Sequence, residues 1–192
     1  MNRLIDYKTA LIESIESLEH GNISRLADKI TETSSSGGTV FVAGNGGSAA
    51  TSSHFVCDLQ KTVLGKDPLK NSQGRIRIIS LTDNIPSITA WSNDQHYKHI
   101  FSEPLRSYAR SGDMLLVITG SGNSENIIEV LKTAKELEIA SFGLLGFSGG
   151  AAKDILDDFI IVESNHYGVV EDAHSIIMHM VTELLKGNYQ NE

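Results

Sequence analysis

His54 and Asp58 stand four residues apart in the segment GNGGSAATSSHFVCDL, a spacing that places an imidazole and a carboxylate on one face of a helix. Toward the C-terminus, YGVVEDAHSIIMHMVTELL adds Glu171, Asp172, His174 and His179 on what reads as the last helix. Imidazoles and carboxylates together can ligate a metal or carry protons near neutral pH. His174 and His179 are five residues apart and so point in different directions. At most one of them is expected to reach a shared site, and spacing does not choose between them. Each of these residues also has an ordinary structural use: His54 as a helix-surface or core histidine, Glu171 and Asp172 as favourable charges at a helix N-terminus.

Two segments, 40–59 and 114–131, read as a strand running into a small-residue turn that opens a helix. The first turn, GNGGS, permits close approach to backbone at Gly46 and Gly47. The second, TGSGNSEN, offers the hydroxyls of Thr119, Ser121 and Ser124, and either Asn123 or Ser124 is expected to cap the following helix. Amides at a helix N-terminus attract anions, so the pair of turns suits a phosphorylated small molecule. The first turn lacks the GxxxxGK[ST] of a P-loop and neither fits a convincing GxGxxG pattern, which argues against ATP and NAD. Glycine-rich turns after strands are often only tight turns, and it is the hydroxyls of the second that favour an anion.

A formal net charge of −8 argues against nucleic acid as the main partner, because that binding relies on lysine and arginine neutralising phosphates. Backbone amides can still hold an anion locally. The single cysteine, Cys57, forms no internal disulfide, and the segment after Met1 lacks the apolar core of a signal peptide, so a cytoplasmic protein is expected. No run of ~18 apolar residues occurs, so no membrane span is expected. Cys57 is expected to be buried as a small apolar side chain, and Lys61 to be an exposed lysine.

These residues must be positioned by a scaffold. Leu4, Ile5, Leu11, Ile12, Ile15 and Leu18 recur at close to helical period, and Ile23, Leu26, Ala27 and Ile30 start a second helical pattern ending in the Ser34–Gly38 run. Their stripes are assigned to core or subunit packing. From Thr39 onward, β-branched and apolar runs at 39–43, 76–80, 114–118, 141–146 and 158–162 alternate with longer helical segments. That alternation predicts an α/β fold: a doubly wound, flavodoxin-like, five-stranded parallel sheet with helices on both faces and two extra N-terminal helices. The polar stretch 64–75 is expected to be a mobile loop. The chain is expected to form one domain, 1–192, with N-terminal helices over 1–36 and the sheet over 37–192. Ligands of such sheets gather at the carboxyl ends of the strands, so the two turns should face one pocket.

Taken in order, GNGGSAATSSH, ITAWSND, ITGSGNSEN and EDAHSIIMH resemble the sugar isomerase (SIS) domain of phosphoheptose isomerases, and the resemblance covers nearly the whole chain. It implies a homotetramer with active sites between subunits. By position, Thr119, Ser121 and Ser124, with Gly120 supplying backbone, would hold the sugar phosphate. Asn45, Gly46, Gly47 and Ser48 would line the sugar, and Asn93 and Asp94 would also contact substrate. The resemblance further implies Asp58 as base, His179 as acid, and zinc held by His54, Asp58, Glu171 and His179, with Glu171 also touching substrate. The partner so implied is a phosphorylated sugar, sedoheptulose 7-phosphate, converted through an enediol for nucleotide-activated heptose and a surface glycan such as lipopolysaccharide or capsule.

This chain departs from the family pattern at the reaction centre, where the usual glutamate is Asp58 and the usual glutamine is Glu171, and at the phosphate turn, where Gly120 replaces a common threonine. The shorter Asp58 requires a helix shift or a bound metal to reach its place, and the added charge of Glu171 favours tighter metal binding. Two alternatives remain: a non-catalytic SIS module that binds a sugar phosphate or a protein, and an isomerase of another phosphosugar.

Overall fold

The computed structural model describes residues 2–65, 69 and 75–189. Two helices, α1 (Asn2–Glu16) and α2 (His20–Ser35), precede β1 (Thr39–Gly44), as expected from the two apolar periodicities. Then follow α3 (Gly47–Lys61), β2 (Arg77–Ser80), α4 (Ile85–Asp94), α5 (Ser102–Tyr108), β3 (Met114–Thr119), α6 (Glu125–Glu136), β4 (Ala140–Gly146), β5 (Asp158–Val162) and α7 (Tyr167–Tyr189). Of the loop expected over 64–75, residues 66–68 and 70–74 lie outside the described residues. Among the described residues, no helix is long and apolar enough to cross a membrane.

The five strands are all parallel in the order β2-β1-β3-β4-β5. Every residue of β1 and β3 is buried, as central strands covered on both faces require. One apolar cluster joins the sheet to α2, α3 and α7 through residues such as Ile30, Phe55, Leu59 and Ile177. A second joins the other face to α5 and α6 through Leu105, Ile127 and Leu131. At the amino ends of the strands the Asp113 carboxylate accepts from Thr39 N at 2.6 Å and from Arg110 N at 2.7 Å, tying β1 to the loop before β3.

The strand order creates the site. From β1 the chain crosses through α3 to β2, whereas from β3 it crosses through α6 on the opposite face to β4. β1 and β3 are direct neighbours, with Gly44 in register with Ile118. The turns after them therefore open side by side at the switch point, where such sheets bind ligands.

One expectation about the helices, the burial of Cys57, needs revising. Cys57 is exposed. The buried stripe of α3 is Ser48, Ser52, Phe55, Val56 and Leu59, and position 57 falls outside it. Along α1, Leu4, Ile5 and Ile12 are exposed, so the stripe assigned to packing is only partly covered within this chain.

Candidate active site

The first turn places Gly46 at φ +54, a backbone conformation suited to glycine, and α3 starts at the next residue. A Cβ on Gly47 would stand 2.7 Å from Glu171 Oε1, so the absence of a side chain there lets the carboxylate of α7 approach the first turn of α3. Glu171 thus sits at the positive end of that helix.

Asn45 is held from two directions. Its Nδ2 donates to Asn126 Oδ1 at 2.9 Å, and its Oδ1 accepts from Asn126 Nδ2 at 2.8 Å and from Tyr97 OH at 3.2 Å. Asn126 lies in the first turn of α6 and is 2 % exposed. This reciprocal amide pair bolts the first turn to the second. Asn126 and Tyr97 escaped the sequence reading because 81 and 52 residues separate them from Asn45. Local periodicity carries no signal at that range; the second asparagine of GNSEN was the only available hint.

In the second turn Thr119 is buried, and its hydroxyl accepts from Gly122 N at 3.3 Å. Ser121 Oγ accepts from Asn123 N at 3.3 Å. Ser124 occupies the N-cap position of α6 without a side-chain cap hydrogen bond, so its hydroxyl is not spent on the helix. Asn123 does not cap either: its Oδ1 accepts from Ala151 N at 3.0 Å and its Nδ2 donates to Ser121 O at 3.0 Å, which braces the turn against the loop after β4.

Further along, α3 and α7 lie side by side and run in the same direction, since Glu171 meets Gly47 while His179 meets Asp58. His54 Nε2 and His179 Nε2 stand 3.6 and 3.7 Å from Asp58 Oδ2, and the two imidazoles meet edge to face with centroids 5.1 Å apart. Asp58 Oδ1 accepts from Thr62 Oγ1 at 2.9 Å, which fixes the carboxylate. The Asp58 side chain is 14 % exposed, against 52 % for His54 and 55 % for His179. One ligand atom from each of the three lies within 4.8 Å of the other two. Tetrahedral zinc at ~2.0 Å from each ligand needs ligand atoms about 3.3 Å apart, so this two-histidine, one-carboxylate set fits zinc with a small closure.

The structure also settles which late histidine joins the site. His174 is buried, its Nε2 3.0 Å from Leu145 O on β4, so it anchors α7 to the sheet while His179 faces outward to Asp58. Burial lowers the His174 pKa to about 4, and the Leu145 carbonyl only partly opposes this.

Glu171 does not join the three-residue cluster. It precedes His179 by eight residues, about 12 Å along a helix, so it packs beside the first turn of α3 and not beside Asp58. The adjacent Asp172 is engaged elsewhere: Tyr7 OH donates to its Oδ2 at 2.6 Å, linking α1 to α7 and pushing the Tyr7 phenol up to about 12. Asn93 and Asp94 end α4, both exposed, and Asn93 Nδ2 donates to Asp94 Oδ1 at 2.7 Å. Ser48 is buried in the first turn of α3, where its carbonyl accepts from Ser52 Oγ at 2.8 Å. Lys61 is exposed, as expected.

The family model for the SIS domain matches residues 4–146. A protein of Thermoplasma acidophilum named "Probable phosphoheptose isomerase" is 34 % identical over 184 residues, covering 94 % of this chain and 98 % of its own. The phosphoheptose isomerase of Clostridium acetobutylicum is 33 % identical over 183 residues, 95 % of this chain and 89 % of its own. The solved structure of a phosphoheptose isomerase from Neisseria gonorrhoeae superposes with a TM-score of 0.87 at 25 % identity, covering 97 % of this chain and 98 % of that one.

Proposed function

Because the chain belongs to the SIS-domain family, and within it to the phosphoheptose isomerases, we propose that it interconverts sedoheptulose 7-phosphate and D-glycero-manno-heptose 7-phosphate. The observation that carries this reading is the meeting of His54, Asp58 and His179 from two helices, α3 and α7.

An aldose–ketose isomerase must move a proton between neighbouring carbons. The Asp58 carboxylate takes the proton from C1 of the ketose while His179 delivers one to the oxygen on C2, giving an enediol. Loss of the O1 proton and protonation at C2 then complete the aldose. The Thr62 hydroxyl holds Asp58 in place for this. His54, Asp58 and His179 are the residues that would hold zinc. When bound, it polarises the carbonyl and stabilises charge developing on the oxygens.

The hydroxyls of Thr119, Ser121 and Ser124 and the backbone at Gly120 receive the phosphate. Asn45, Gly46, Gly47 and Ser48 line the sugar, and Asn93 and Asp94 contact it. Glu171, outside the metal cluster, is assigned to the sugar hydroxyls. The uncovered apolar residues of α1 support assembly with further copies, and the proposal includes a homotetramer whose sites lie between subunits. It also includes a cytoplasmic location and a product destined for nucleotide-activated heptose and a surface glycan.

Purified protein incubated with sedoheptulose 7-phosphate, with and without zinc, tests the reading by NMR. Aldose should form with the wild type and not with His179→Ala. Wild type that forms no aldose under either condition overturns it.

A further inference from the structure

We propose that Tyr167 is a substrate-binding residue whose phenol hydroxyl donates a hydrogen bond to the phosphate held by the 119–124 turn. This rests on the assignment of that turn to the phosphate.

Tyr167 is the first residue of α7. A Cβ on the buried Gly120 would stand 3.0 Å from Tyr167 Cε1 and 3.2 Å from Cδ1, so one edge of the phenol ring lies directly on the turn. Cε1 is bonded to the carbon that bears the hydroxyl, which places the hydroxyl at the border of the turn. A side chain at 120 and the ring of Tyr167 would compete for the same space, and the glycine resolves this in favour of the tyrosine.

The ring is braced in that position. Phe147 meets it edge to face, with centroids 4.8 Å apart and planes at 60°. Phe147 has φ +52, an uncommon conformation for a bulky residue that costs free energy and tends to mark functional sites. It follows Gly146, whose N–H donates to Gly120 O at 2.9 Å. The end of β4 is thus pinned to the turn, and from there it presents the aromatic ring that supports Tyr167.

The hydroxyl itself is free to meet a ligand. Tyr167 is 56 % exposed. Tyr7 OH and Tyr97 OH donate to Asp172 and Asn45, whereas no protein hydrogen bond uses the Tyr167 hydroxyl among the described residues. A neutral donor suits a phosphate site in a chain of net charge −8, where the anion is to be met by hydroxyls and amides.

Tyr167→Phe keeps the ring on Gly120 and Phe147 and deletes only the donor. Two readouts separate this proposal from the isomerase reading: the dissociation constant for inorganic phosphate by calorimetry, and KM and kcat for sedoheptulose 7-phosphate. Phosphate binding should weaken about tenfold and KM rise by a similar factor with kcat within about twofold, as expected for loss of a hydrogen bond to a charged group. The melting temperature should be unchanged. Phosphate bound as tightly by Tyr167→Phe as by the wild type, or no phosphate binding by the wild type, overturns the role of Tyr167. Wild type that binds phosphate but leaves sedoheptulose 7-phosphate unchanged sinks the isomerase reading instead, and the phosphate constants alone then decide on Tyr167.

Discussion

Replacing Asn126 by alanine should loosen both turns at once. The substitution removes the two hydrogen bonds of 2.9 and 2.8 Å that join Asn126 to Asn45. Asn45 Oδ1 keeps only Tyr97 OH at 3.2 Å, and its Nδ2 loses its protein partner. At roughly 1 kcal/mol net per hydrogen bond, the loss is about 2 kcal/mol. For a chain of this size each kcal/mol moves the midpoint by about 2–4 °C, so the melting temperature should fall by about 4–8 °C at fixed protein concentration. Asn126→Asp keeps the shape but turns an acceptor toward Asn45 Oδ1 where a donor had been, so it should destabilise at least as much. KM for the sugar phosphate should rise in both variants, because Asn45 is no longer held in place. Thermal melts by circular dichroism and steady-state kinetics read the two effects. A midpoint shifted by less than about 1 °C in Asn126→Ala would refute the claim that this pair couples the turns.

Stability should depend on His174 below neutral pH. Unfolded, its imidazole takes up a proton near its ordinary value of 6.5; folded, burial delays this to about 4. Stability is therefore full above about pH 6.5 and declines toward pH 4, by about 3 kcal/mol in all. Denaturant titrations should show a shallower decline in His174→Gln, which keeps a donor for Leu145 O without the charge; an equal decline would clear His174. Gly122→Ala should cost about 3 kcal/mol or more, because φ is +67 and its Cβ would fall 1.9 Å from Gly149 O, whereas Gly21→Ala, with nothing within 4 Å, should gain up to about 1 kcal/mol. Zinc affinity by competition with a chelator should fall by an order of magnitude or more in His54→Ala, Asp58→Ala and His179→Ala but little in Glu171→Gln; a collapse in Glu171→Gln would return Glu171 to the metal.

The alternation of buried runs and helical periods was legible to within a residue at each strand end, because central parallel strands are nearly uniform in burial and short. The spacing of His54 and Asp58 was equally legible, since both lie on one helix. Their meeting with His179 followed from resemblance, and only packing against β4 shows why His174 turns inward. The asparagine pair, the Tyr167 edge on Gly120 and the separation of Glu171 from the metal cluster are tertiary facts between segments far apart in sequence. Glu171 could be misassigned because its type suits a ligand, while its height along α7 decides what it touches.

The most direct test of the central claim is to run the reaction in deuterium oxide with zinc and sedoheptulose 7-phosphate, following the product by NMR. Proton transfer by Asp58 and His179 through an enediol predicts an aldose carrying solvent deuterium at C2. An aldose whose C2 hydrogen comes wholly from the substrate, or no aldose at all, would contradict the account.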